Sequence, residues 1–193
     1  MKTGAWADHW TRRARAEGWR SRAVYKLREL DRRERLFGRG GRIVDLGAAP
    51  GGWSQYAARK VAPTGRILAI DIEPMEPIKG VEVMQGDIAD SAVVTDLRRA
   101  LGGPADAVLS DLAPKLSGNR DRDQAVSMEL AAMALEAALE LLRPGGVFVT
   151  KLFQGAGFEE FVATARTGLR KARLRTLEAS RKASRETYLV GRT

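Results

Sequence analysis

The 193 residues include no cysteine and a single histidine, His9. The first absence removes disulfide frameworks, thiolate nucleophiles and cysteine metal sites. The second leaves no histidine triad and no zinc cluster. No apolar run approaches the ~20 residues that a membrane span requires. The opening Met1-Lys2-Thr3-Gly4-Ala5-Trp6 lacks the apolar core of a secretory signal. These absences lead to the expectation of a cytoplasmic protein with no membrane partner and no metal. Chemistry is left to Lys, Asp, Glu, Tyr and Ser side chains.

What is present is mostly charge, unevenly spread. Lys and Arg total 33 against 24 Asp and Glu, a net charge of +9. Residues 1–42 carry 13 basic and 5 acidic side chains, and residues 166–193 carry 9 and 2. The intervening stretch is acidic, with 11 basic and 17 acidic residues. Basic ends around an acidic centre suit a polyanion at the periphery and a cationic ligand inside. Within residues 1–20, Trp6, Trp10 and Trp19 lie among Arg12, Arg13, Arg15 and Arg20. Such side chains can stack on bases and pair with phosphates, or the tryptophans can fold back as a hydrophobic staple.

The most specific local string is Ile43-Val44-Asp45-Leu46-Gly47-Ala48-Ala49-Pro50-Gly51-Gly52-Trp53. An apolar strand ends in an acid, passes a loop of small residues and enters a helix, as at the ligand-binding edge of a doubly wound sheet. Small residues let the backbone approach a ligand closely. The register departs from the dinucleotide fingerprint, and Asp45 would repel a pyrophosphate. A cationic nucleoside fits better, and S-adenosylmethionine carries both an ammonium and a sulfonium.

Beyond this loop, strand and helix patterns alternate. Strands are expected near 42–46, 66–71, 81–85, 106–111, 146–152 and 186–191, and helices near 53–61, 90–101, 125–142 and 157–170. That alternation predicts an α/β protein with a mainly parallel sheet and helices on both faces. A hairpin-like pair near 172–178 and 186–191 supplies an antiparallel edge. Residues 21–35 read as a helix with Ser21 as N-cap and Val24, Leu27 and Leu30 as its apolar stripe. We divide 1–193 into one domain, in which 1–41 form a basic arm and helix and 42–193 the α/β core. The polar stretch from Lys115 to Gln124 is expected to be the most mobile.

Four acids follow successive expected strands: Asp45, Asp71, Asp87 and Asp111. Strand ends share one edge, so these carboxylates should converge on one cleft. Asp71 lies 20 residues after Gly51, where a carboxylate can accept from a ribose diol. Asp87 could meet an adenine amino group. Lys151 ends a long apolar run and is expected half-buried at the cleft edge. Lys26 alone reads as a surface residue paired with Glu29.

The string Asp-Leu-Gly-Ala-Ala-Pro-Gly-Gly-Trp resembles the first motif of the FtsJ family of RNA ribose 2′-O-methyltransferases. That resemblance runs from about Ser21 to Val190 and implies a Rossmann-like methyltransferase fold with seven strands. It assigns cofactor contacts to Gly51, Trp53, Asp71, Asp87 and Asp111, beside Asp45, Gly47 and Gly52 of the loop. It also implies a Lys-Asp-Lys-Glu tetrad: Lys26 in Ser-Arg-Ala-Val-Tyr-Lys-Leu, Asp111 in Ser-Asp-Leu-Ala-Pro, Lys151 in Lys-Leu-Phe-Gln-Gly, and Glu186 in Ser-Arg-Glu-Thr-Tyr. A ribose 2′-hydroxyl is a weak acid, and a lysine can take its proton once its pKa lies below the free value of about 10.4. Lys151 would be the proton acceptor, tuned by Lys26, with Asp111 and Glu186 orienting the lysines. Lys115 stands where the family commonly has a small polar residue such as Asn.

The resemblance further implies a monomer that acts on a uridine of 23S ribosomal RNA, on the assembled large subunit. Three alternatives stand beside it. One is a tRNA ribose methyltransferase and another an idle RNA-binding assembly factor. The third, a nicotinamide oxidoreductase, is disfavoured by the glycine register.

Overall fold

The computed structural model describes residues 3–180 and 185–193, with side chains from His9 onward. The side chain of Trp6 and the whole of Ser184 therefore lie outside the described residues. Among these, seven strands form one sheet: β1 (Arg42–Leu46), β2 (Arg66–Asp71), β3 (Glu82–Gln85), β4 (Ala105–Ser110), β5 (Leu142–Phe153), β6 (Arg170–Arg175) and β7 (Glu186–Arg192). Their spatial order is β3-β2-β1-β4-β5-β7-β6. All neighbours pair in parallel except β5 with β7 and β6 with β7. The expected hairpin is thus the antiparallel edge. Strand order reverses beside β1, so the ligand crevice of such a sheet lies past the ends of β1 and β4.

Six helices complete the fold among the described residues: α1 (Thr3–Ala16), α2 (Val24–Glu34), α3 (Gly52–Val61), α4 (Ser91–Leu101), α5 (Arg120–Leu141) and α6 (Phe158–Gly168). Strand residues alternate between faces. Val44, Leu68, Val108 and Phe148 meet the apolar sides of α4, α5 and α6. Ile43, Ile67, Leu109, Val149 and Tyr188 meet α2 and α3. Val24, Leu27 and Leu30, the expected stripe, are fully buried.

Some boundaries depart from the sequence reading. The N-cap of α2 is Ala23, with no side-chain cap, and Ser21 lies before the turn that leads into the helix. Residues 3–16 form a helix whose Arg13 and Arg15 fall in the last turn, where cations complement the helix dipole. Helix α5 starts at Arg120 rather than 125. The Asn119 side chain accepts from the amides of Asp121 and Arg122, and Asp121 and Asp123 occupy the first turn. Half of the stretch expected to be mobile is therefore helical. Strand β5 runs past Lys151 to Phe153, because β7 continues to pair with it there.

Candidate active site

The alternation of strand side chains positions the site. Asp45, Asp71, Lys151 and Glu186 occupy the same parity as Ile43, Ile67, Val149 and Tyr188, the face that α2 and α3 cover. Asp111 continues the parity of Leu109 one step past β4. Lys26 comes to the same place from α2. One face of the sheet thus receives every member of the expected tetrad.

The structure brings the four together as two ion pairs. Lys26 Nζ lies 2.7 Å from Glu186 Oε2. Lys151 Nζ lies 3.1 Å from Asp111 Oδ1 and donates to the Asp111 carbonyl at 2.8 Å. Tyr188 stands between the pairs: its hydroxyl donates to Asp111 Oδ1 at 3.2 Å, and Lys26 Nζ lies 5.8 Å from its ring centroid. Burial, together with the Asp111 and Glu186 carboxylates, holds the Tyr188 phenol well above its ordinary 10.0, so it remains a donor. Ser180 Oγ donates to the other Glu186 oxygen at 2.6 Å.

Two expectations change here. Lys151 is 8% exposed, buried rather than half-buried, with Asp111 and the Phe153 ring around its ammonium. Lys26 reaches across the fold to Glu186 instead of pairing with Glu29. The Glu29 carboxylate is taken by Arg33 and the amides of Glu178 and Ala179.

Beside this cluster lies a cleft of about 290 Å³ whose lining includes Lys26, Asp45, Gly47, Gly52, Trp53 and Asp111. Gly47 turns with φ 71°, and a Cβ there would come within 2.5 Å of Leu112. Gly51, with φ 102°, faces away from the cleft; its missing side chain leaves room for Ile78 and Arg20. Asp71 ties the cleft-lining loop down. Its oxygens accept from the amides of Ala49 at 2.8 Å and Glu73 at 2.9 Å. Asp87 is exposed and accepts from the Ala89 amide in a local turn. Lys115 points outward and pairs with Glu73 at 2.9 Å.

Asp45 is the most perturbed group in the cleft. It is fully buried, Ser54 Oγ donates to its Oδ2 at 2.5 Å, and its Oδ1 has no partner among the described residues. Burial pushes its pKa up to about 7 against the Ser54 bond, and the Asp111 and Asp71 charges add to the rise. An unpaired buried carboxylate oxygen in a glycine-lined cleft fits the ammonium of an amino-acid-bearing nucleoside. The donor set therefore suits S-adenosylmethionine.

Ser54, Ser180 and Tyr188 escaped the sequence reading. Tyr188 was within reach of it, since it sits two residues after Glu186 on a strand and must share its face. Ser54 and Ser180 carried no periodic signal.

The FtsJ-like methyltransferase family matches residues 19–193. A Ribosomal RNA large subunit methyltransferase E from Marinobacter nauticus is 46% identical over 96% of this chain and 90% of its own length. A protein of the same name from an Azoarcus species is 48% identical, covering 95% and 90% of the two chains. A crystal structure of a ribosomal RNA methyltransferase from Plasmodium falciparum superposes with a TM-score of 0.79 at 29% identity, over 90% of this chain and 97% of that one.

Proposed function

The chain belongs to the FtsJ-like methyltransferase family, and from that premise we propose that it methylates the ribose 2′-hydroxyl of a uridine in large-subunit ribosomal RNA. S-adenosylmethionine is its methyl donor, supplying an electrophilic methyl on a sulfonium when bound. Asp45 Oδ1 would receive the ammonium of that molecule, and the Gly47–Gly52 loop would offer backbone at close range. Lys26, on the cleft wall, holds the incoming ribose.

Lys151 accepts the proton as the 2′-oxygen takes the methyl. The Asp111 carboxylate and carbonyl hold the ammonium that forms. Glu186 and Tyr188 are positioning residues: the first anchors Lys26, and the second fixes the Asp111 carboxylate that Lys151 meets. The observation that carries this reading is the pairing of two lysines with two carboxylates around Tyr188, beside the cleft.

The test is incubation with labelled S-adenosylmethionine and, separately, assembled large subunits, naked ribosomal RNA and tRNA, followed by mapping of ribose methylation. Label at a uridine 2′-oxygen of large-subunit RNA is expected. Label only on tRNA, or on a base, would overturn the assignment.

A further inference from the structure

Among the described residues only two non-glycine residues have a positive φ: Arg35 at 51° and Lys171 at 53°. Arg35 ends α2 in the left-handed conformation, a position that glycine fills most readily. Lys171 lies where the register of β6 against β7 shifts, a bulge that also favours glycine. The chain has 20 glycines, so small residues are not scarce. At both places it carries a cation instead, and both cations line one cleft of about 260 Å³ with Arg192. Arg35 and Arg192 also border the adjoining cleft, of about 430 Å³, with Arg39.

The positive charge here is largely uncompensated. The side chains of Arg35, Arg39, Arg170 and Lys171 make no hydrogen bond or ion pair among the described residues. Arg192 donates only to backbone carbonyls. The acids nearby are engaged already: Glu34 by Arg175 and Asp106 by Arg143. Cations on an edge strand such as β6 also discourage strand addition. That role needs neither a left-handed backbone nor arginines converging from α2 and β7.

We propose that this patch, at the opposite edge of the sheet from the active site, is a second binding surface for the phosphate backbone of the RNA substrate. Non-glycine residues held in the left-handed region concentrate where function retains them. Arg192 of the patch pairs with Val147 of β5, four residues before Lys151, which places their backbones roughly 13 Å apart along the sheet. The proposal rests on the reading that the substrate is ribosomal RNA.

The test is the full-length Arg35→Gly/Lys171→Gly protein, compared with the parent and with Arg35→Lys/Lys171→Arg. Glycine relieves the backbone, so Tm should rise by about 2–4 °C per site. Affinity for large-subunit ribosomal RNA should nevertheless fall about tenfold. The slope of log K against log salt should drop by roughly 0.7–0.9 for each phosphate no longer neutralised. S-adenosylhomocysteine affinity should not change, and the charge-preserving pair should bind RNA like the parent. Parental RNA affinity and slope in the glycine variant, or a fall in its Tm, would overturn the proposal. A parent that binds the RNA through this patch but methylates no ribose would instead overturn the functional reading alone.

Discussion

Asp45 makes the cleft sensitive to pH in two ways. Its carboxyl titrates near pH 7 in the folded chain, against an ordinary value of 3.8. The folded state therefore binds the proton more tightly than the unfolded one, and stability falls as pH rises from about 4 to about 7. The loss is on the order of 4 kcal/mol for a group this buried. Ligand binding responds in the opposite direction. An ammonium needs the carboxylate, so affinity for S-adenosylhomocysteine should weaken as pH drops below about 7, by up to about tenfold per unit. Asp45→Asn should remove both dependences, raising Tm at pH 8 while weakening the ligand. Thermal melts and calorimetry across pH 5–8 check this, and a parental pH profile in the variant would exclude Asp45 as the ammonium partner. The sequence exposed Asp45 because an acid closing an apolar strand is conspicuous. Its partner Ser54 was hidden, since a loop and a helix turn separate the two.

Among the elements, the loop between β1 and α3 illustrates what pattern reading reaches. Gly51 is required, but for a reason that only the packing reveals. Its φ of 102° and the approach of Ile78 exclude a side chain, whereas the cleft lies on the other side of the loop. Gly51→Val should thus destabilise the protein by roughly 1–3 kcal/mol and weaken S-adenosylhomocysteine by displacing the loop. Adding Ile78→Ala should recover part of both losses; no recovery would mean that Ile78 does not set the loop. The positions of β1, β2, β4 and β5 were legible because their apolar runs are long and bounded by turns, whereas their order in the sheet was not. The ends of α2 and α5 were not. Ser21 looked like a cap without being one, while Asn119 sat inside a stretch whose polarity masked a capped first turn. Lys26 was indistinguishable from surface lysines, because its partner Glu186 is 160 residues away and only the family resemblance singled it out.

At the scale of the whole molecule, the basic N-terminal segment splits into two roles. Arg12, Arg13 and Arg15 belong to α1, on the exterior of α2. Arg20 instead holds the carbonyls of Pro50, Glu76 and Pro77, and its amide donates to Gln55. Composition could not separate a structural arginine from its solvent-facing neighbours. Removing residues 1–16 should therefore weaken RNA binding and flatten its salt dependence, with cofactor affinity unchanged. Arg20→Ala should weaken the cofactor by loosening the loop around Pro50. Filter binding and calorimetry on both proteins distinguish the roles, and identical profiles would show that the segment acts as one unit.

The central claim is that Lys151 takes the proton of the attacking hydroxyl, and single-turnover methyl transfer to large ribosomal subunits tests it most directly. With saturating S-adenosylmethionine, Lys151→Ala should slow transfer by ~10²–10⁴-fold while RNA and cofactor affinities stay near the parent's. Lys151→Arg should be similarly slow, because a guanidinium stays protonated at any working pH. A Lys151→Ala protein that transfers the methyl group at the parental rate would contradict the account.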